Sequence, residues 1–205
     1  MSYTVDGIGV DSNSVSQTLD AMRSGTAIIA QGALQVDRWS GRADVLRRVE
    51  TPSKLGSWSY EVIDTKLARE TKGGTVLQVS LYSDLLGSLQ ERVPEFAYVV
   101  VPETGYEPQA FRIGDYAAYY RRVRRSLEQS VETAGAAEIY PEPNPHCEVC
   151  RWRVQCEGRR RADDHLSFVA GISKSQITEL RTHGVGTAAE LSALPVNPPG
   201  LSNER

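Results

Sequence analysis

Apolar positions change their period along this chain of 205 residues, and the changes mark its elements. The run TAIIAQGALQV (26–36) is rich in strand formers, and WSGRADVLRRVE (39–50) reads as its hairpin partner, with Asp37 and Arg38 near the turn. After TPSKLGS, a stretch of turn formers, WSYEVIDTKLA (58–68) reads as a third strand. The period then lengthens. Leu77, Leu81, Leu85 and Leu89 recur every fourth residue, with Val76 and Leu86 alongside, which predicts a helix preceded by Gly74. FAYVVVP (96–102) is a short, continuously apolar strand of the kind buried inside a mixed sheet, and YEPQAFRIG (106–114) pairs with it or forms an edge. A long helix follows from Asp115 to Gly135, with Tyr116, Tyr119, Tyr120, Val123 and Leu127 on one face and arginines on another.

The ends of the chain are less regular. SVSQTLDAMRSG (14–25) looks like the end of a helix, stopped by Gly25, within a polar opening segment. The tail GISKSQITELRTHGVGTAAELSAL (171–194) predicts two short helices around the turn HGVGT. Ser173 with Gln176, and Thr187 with Glu190, both have the spacing of a capping box. The order strand, strand, strand, helix, strand, strand, helix predicts an α/β (α+β) fold with helices packed on a sheet. The predicted organisation is a polar segment at 1–25, one α/β domain at 26–165, a small helical hairpin at 166–194 and a linker or tail at 195–205.

Composition narrows the class without naming it. Hydrophobic content of 40% and charged content of 24% suit a globular protein. No apolar run approaches a membrane span, and the opening residues lack the basic and apolar regions of a signal peptide, so a cytoplasmic location is the default. Net charge is −3, which gives no global attraction to nucleic acid, but the cations are clustered. Arg121, Arg122, Arg124 and Arg125 lie in five residues, and RWRVQCEGRRR (151–161) holds five more arginines. Phosphate backbones attract such clusters. Cys147, Cys150 and Cys156 fall within ten residues, which suggests metal or cluster ligation rather than disulfides.

The third strand carries an unusual pair. Asp64 and Lys66 are two apart, and side chains at that spacing project from one face of a strand. An exposed ion pair there is worth only a few tenths of a kcal/mol. The other reading is a site for a hard cation. Asp44 on the preceding strand converges on Asp64 if the two strands are neighbours, and two carboxylates suit Mg²⁺ or Mn²⁺. Gly41, three residues before Asp44, would admit a substrate or a neighbouring backbone. Gln78 and Tyr82 lie one turn apart on the leucine-rich helix. Glu61 should face away from Asp64.

Asp44, then Asp64-Thr65-Lys66, then Gln78 to Tyr82 resemble the PD-(D/E)XK nuclease superfamily, and the Q-x-x-x-Y spacing resembles its RecB-like branch. The resemblance covers about Gln31 to Arg161 and implies a restriction-endonuclease-like central mixed sheet flanked by helices. It implies a metal-dependent deoxyribonuclease in which Asp44, Asp64 and the backbone carbonyl of Thr65 hold Mg²⁺ or Mn²⁺. Lys66 is then the catalytic lysine, and Gln78 and Tyr82 contact the substrate or order the site. The C-x2-C-x5-C trio is similar to that of Cas4-like relatives, where with an N-terminal cysteine it holds a 4Fe–4S cluster. This sequence has no N-terminal cysteine. His146 or His165 would supply a fourth ligand, which also suits zinc. The family's first helix, with its cysteine, is expected to be absent, the chain beginning inside the domain. The tail resembles a helix-hairpin-helix, in which the turn at Gly184 and Gly186 would bind phosphate through backbone N–H groups. DNA is the implied partner, held also by Arg121, Arg122, Arg124 and Arg125, with a helicase fused or associated. A DNA-binding module without catalysis and a zinc-stabilised structural domain are the alternatives.

Overall fold

The computed structural model describes residues 1–133 and 140–195. The chain divides into two compact units, 1–133 and 134–205. The first holds strands β1 (Ser2–Thr4), β2 (Ile28–Val36), β3 (Trp39–Val49), β4 (Ser59–Thr65), β5 (Phe96–Val100) and β6 (Gln109–Arg112). Its helices are α1 (Ser12–Arg23), α2 (Gly73–Gln90) and α3 (Ile113–Thr133). The strands form one mixed sheet in sequence order, with β1 parallel to β2, β4 parallel to β5, and the other neighbours antiparallel. The parallel β4–β5 step needs a crossover, and α2 supplies it. The predicted mixed sheet flanked by helices is therefore what the chain forms.

The opening segment is more ordered than its polarity predicts. β1 extends the sheet, and α1 is a complete helix, not the end of one. Asp11 caps it by accepting from the Ser14 N–H at 2.8 Å, and Ser14 Oγ accepts from the Asp11 N–H in return. The helix buries Thr18 and Met22, and Thr18 Oγ1 accepts the Ala33 N–H of β2 at 2.9 Å. Gly25 ends it with φ +70, a conformation glycine adopts freely. A complete, docked helix therefore precedes β2.

One apolar core joins α1, α2 and the sheet through Met22, Ile29, Leu34, Leu46, Tyr60, Val62, Val79 and Leu86. Two buried polar groups complete it. Gln90, at the end of α2, accepts the Tyr60 N–H at 2.8 Å and donates to the Tyr60 carbonyl at 3.2 Å. It occupies the flank of β4 before pairing with β5 begins at Ile63. The Tyr60 hydroxyl donates to the Thr26 carbonyl at 2.7 Å, and burial pushes its pKa up to about 12, against the pull of Arg48. Because the folded value exceeds the unfolded one, this contribution to stability is complete below pH 10 and is lost as pH rises towards 12. Tyr60→Phe should cost about 1 kcal/mol at pH 8. The gap to the wild type should narrow at pH 11, as read by urea melts at both values.

The long helix departs from expectation. Only Ile113 of α3 is buried, while Tyr119 and Leu127 of its predicted apolar face are exposed. It docks on α2 and β3 through polar contacts instead. Tyr120 donates to Asp84 at 2.9 Å, Arg124 pairs with Asp84 and Glu128, and Trp39 Nε1 donates to Glu128 at 2.7 Å. Its predicted end at Gly135 lies outside the described residues.

The second unit contains α4 (Arg153–Ala162), α5 (Lys174–Thr182) and α6 (Ala188–Ser192). The predicted helical hairpin forms, with both capping boxes, around its own core of Leu166, Ile177, Leu180 and Val185.

Candidate active site

β3 and β4 are neighbours, as convergence of the two aspartates requires. Their register pairs Val45 with Ile63, so Asp44 and Asp64 stand one step further along adjacent strands. Two features bring Asp44 inward. Opposite it on β2, Gln31 adopts φ 57, and the β2–β3 ladder skips this pair between Ala30–Val45 and Gly32–Ala43. Left-handed backbone is uncommon for a side chain other than glycine, asparagine or aspartate and marks local strain. The kink breaks the alternation of β3, since Ala43 and Leu46 are both fully buried although three apart. Thr65 then fixes the Asp44 carboxylate. Its N–H and its hydroxyl both donate to Asp44 Oδ2, at 2.7 and 2.6 Å. The other oxygen, Oδ1, keeps no hydrogen bond among the described residues.

Asp64 is 1% exposed and faces the core side of the sheet with Val62. Lys66 lies just beyond the end of β4 rather than inside it. Its N–H still donates to the Val100 carbonyl at 3.0 Å, which holds Lys66 in line with the strand. Its ammonium forms an ion pair with Asp64 Oδ2. That oxygen is buried, and the ammonium is its one partner among the described residues. Burial pushes the Asp64 carboxyl above the usual carboxylate range, Lys66 pulls it down, and the Asp44 charge pushes it further up. The donor set is a buried carboxylate paired with one ammonium, a second carboxylate with a free oxygen, and the backbone carbonyl of Thr65. These oxygens fit Mg²⁺ or Mn²⁺, which take carboxylate and carbonyl ligands and keep several waters.

Gln78 and Tyr82 form a unit of their own on α2, with Gln78 Nε2 donating to the Tyr82 hydroxyl at 2.8 Å. Neither hydrogen-bonds to Asp44, Asp64 or Lys66. Gly41 makes room for the Tyr82 ring, because a Cβ there would lie 2.2 Å from it. The glycine thus admits this side chain where the sequence suggested a substrate. Glu61 pairs with Arg47 at 3.1 Å, and Arg47 lies over the Tyr98 ring, so Glu61 belongs to the opposite side of β4.

The cationic stretches divide into free and engaged groups. Arg124 is held by Asp84 and Glu128 and lies over Trp39, so it braces α3 and is not available to a phosphate. Arg121, Arg122 and Arg125 are exposed and unpaired among the described residues. In the second stretch, Arg161 pairs with Glu157 at 2.7 Å, Arg159 with Asp163 at 3.7 Å, and Arg160 donates to the Pro141 carbonyl at 3.0 Å. These three work within their own unit.

Cys147, Cys150 and Cys156 are free and half-buried. Among the described residues no three His, Cys, Asp or Glu side chains converge as a metal site. His165 is buried and occupied: its Nδ1 accepts the Ser167 N–H at 3.1 Å, and its Nε2 faces Arg181 at 2.7 Å. His146 is exposed on the turn capped by Asn144. Among the described residues, the three cysteines and the two histidines do not assemble a four-ligand site for a 4Fe–4S cluster or zinc. The hairpin turn is occupied as well. Gly186 and Thr187 donate their N–H groups to Glu190 Oε2, at 2.7 and 3.0 Å, and the Gly184 N–H donates to the Arg181 carbonyl at 3.1 Å. A phosphate would have to displace a carboxylate there.

A six-stranded mixed sheet flanked by helices, with an aspartate inside β3 beside an aspartate and a lysine at the end of β4, defines an α/β protein of the restriction-endonuclease-like class. The PD-(D/E)XK nuclease superfamily model matches residues 14–157, and the chain belongs to that superfamily. The match starts inside α1 and ends inside α4. No curated protein matches the chain. Among the described residues no helix is long and apolar enough to cross a membrane.

Proposed function

We propose that this chain is a metal-dependent deoxyribonuclease of the RecB-like branch, and that Asp44, Asp64, Thr65 and Lys66 form its active site. The observation that carries this reading is a carboxylate buried at the end of β4, Asp64, paired through Oδ2 with the Lys66 ammonium and close enough to feel the charge of Asp44. Partly burying two carboxylates and a single ammonium together leaves net negative charge, which a bound cation offsets. The Gln78–Tyr82 pair on α2 supports the branch.

Asp44, Asp64 and the Thr65 carbonyl would hold Mg²⁺ or Mn²⁺, which supplies Lewis acidity towards the phosphodiester and acidifies water. Lys66 Nζ donates hydrogen bonds to the phosphoryl oxygens and offsets the charge that develops on them. Its pairing with Asp64 pre-orients the ammonium before substrate arrives. Arg121, Arg122 and Arg125 offer unpaired charge to the backbone of the nucleic acid. Gln78 and Tyr82 order the site from α2. The test is cleavage of end-labelled DNA with Mn²⁺ or with EDTA. Cleavage that requires the metal supports the reading, and DNA binding without cleavage would replace it with a non-catalytic binding module.

Thr65 has a role beyond its carbonyl. Its hydroxyl and N–H hold Asp44 in one rotamer with one oxygen free. Groups that orient a metal ligand are worth about 10–100-fold in affinity. Thr65→Val, which keeps the shape and loses the hydroxyl, should weaken Mn²⁺ binding about tenfold by calorimetry or electron paramagnetic resonance, and Thr65→Ser should retain it.

A further inference from the structure

The parallel pairing of β4 and β5 sends both chains out of the sheet at one end. Lys66 leaves β4 beside Val100, and the next residues of each strand build the rim of the candidate site. Two large apolar side chains stand out to solvent on that rim, among the exposed Arg69, Glu70, Glu103 and Glu107. Leu67, directly after Lys66, is 99% exposed, and Tyr106, on the turn after β5, is 70% exposed. The two loops are tied at their bases, where Thr71 Oγ1 donates to Gln109 Oε1 at 2.8 Å.

Tyr106 is held out, not left loose. The single Thr104 hydroxyl hydrogen is shared between the Val101 carbonyl, 3.0 Å from Oγ1, and the Glu107 carbonyl, 2.8 Å from it. The Gly105 N–H donates to the Pro102 carbonyl at 3.0 Å and the Glu107 N–H to the Thr104 carbonyl at 3.2 Å. Within this closed turn Tyr106 adopts φ 68 directly after Gly105 at φ 64. Left-handed backbone is unfavourable for an aromatic residue and natural for glycine. The turn therefore tolerates strain to display a ring in water at the end of the sheet where Lys66 leaves β4. The cations Lys66, Arg69 and Lys72 stand on the neighbouring loop.

Resting on the nuclease reading above, we infer that Tyr106, with Leu67, is a stacking platform for an unpaired nucleobase next to the scissile phosphate, so that the preferred substrate is single-stranded. Bases in a duplex are stacked on one another and present phosphate and sugar to a protein. Unpaired bases expose their faces, and aromatic side chains bind those faces with little sequence preference.

The test is binding of a single-stranded oligonucleotide containing 2-aminopurine, and of the blunt duplex of the same sequence, with Ca²⁺ present. The variants are Tyr106→Gly and Tyr106→Phe. The wild type should favour the single strand and quench the 2-aminopurine on binding. Tyr106→Gly should weaken single-strand binding about tenfold, from loss of one stacked base, and remove the quench. Tyr106→Phe should keep both. Since glycine relieves the left-handed backbone, Tyr106→Gly should also raise the melting temperature, so a loss of binding is not a loss of fold. Unchanged single-strand binding by Tyr106→Gly, or equal losses for duplex and single strand, overturns the platform and leaves the nuclease reading standing. A wild type that binds neither nucleic acid and cleaves neither overturns both.

Discussion

Lys66→Ala is expected to lower metal-dependent DNA cleavage about 10²–10³-fold, the loss that follows removal of one preorganised donor from a site of developing charge. Lys66 contributes charge at one point and little to the fold. It lies past the end of β4, and its side chain is only partly enclosed beside the buried Asp64. Removing it leaves Asp44 and Thr65 in place, because their two hydrogen bonds do not involve the lysine. Mn²⁺ binding should therefore persist, and DNA binding with Ca²⁺ should fall less than tenfold, since one phosphate contact among several is lost. Steady-state cleavage with the metal titrated separates these effects. A variant that cleaves as the wild type does would remove Lys66 from the chemistry. One that fails to bind metal would show that the lysine acts through Asp64.

Asp64→Asn is expected to remove metal-dependent cleavage while stabilising the metal-free protein. The first effect follows from replacing a charged oxygen ligand of a hard cation by a neutral amide. The second follows from burial. In the folded chain the Asp64 carboxyl is held above the usual carboxylate range, mainly by desolvation and secondarily by Asp44. A folded value above the unfolded one means that its contribution to stability is complete at acid pH and is lost as pH rises through the raised value. Above that raised value the wild type has lost it. The neutral asparagine removes that cost and the repulsion with Asp44, and Lys66 can turn to water. A gain of about 1 kcal/mol corresponds to about 2–4 °C in melting temperature for a chain of this size. The gain should be present in EDTA at pH 7–8, shrink as pH falls towards the ordinary carboxylate value, and reverse when saturating Mn²⁺ stabilises only the wild type. A lower melting temperature for Asp64→Asn in EDTA at neutral pH would show that the Lys66 ion pair outweighs the desolvation. Such a trade between stability and activity is common where a charged group is buried for function.

Most of the sheet was legible because its signals are local. The β2–β3 hairpin follows from two strand-forming runs around Asp37, which adopts the left-handed φ of 52 that a tight turn needs. Helix α2 follows from leucines four apart, and the tail hairpin from two capping boxes that both form. Helix α1 was half legible. Its stop at Gly25 is a local signal, but its start rests on Asp11 and Ser14, and its docking on one hydroxyl, Thr18, meeting the Ala33 N–H of β2. Polar composition conceals that kind of anchorage. The exposed face of α3 misled for the opposite reason: apolar residues at helical spacing suggest burial, yet the helix is held by Asp84 and Glu128.

Charge was the least readable property. Four arginines in a row of five look alike in sequence, but Arg124 is spent on Asp84 and Glu128 while Arg121, Arg122 and Arg125 stay free. Glu190, Glu157 and Ser167 similarly occupy the Gly186 N–H, Arg161 and His165. By itself the sequence determined the strand and helix order and the spacing of Asp44, Asp64, Lys66, Gln78 and Tyr82, because periodicity and spacing are properties of the chain. Only the tertiary structure decided that Gln31 kinks the ladder opposite Asp44, that Thr65 holds its carboxylate, and that Tyr82 rests on Gly41. Each of those depends on which strands become neighbours and which donor reaches an acceptor first, and a hydrogen bond between residues twenty or more apart leaves no period in the sequence.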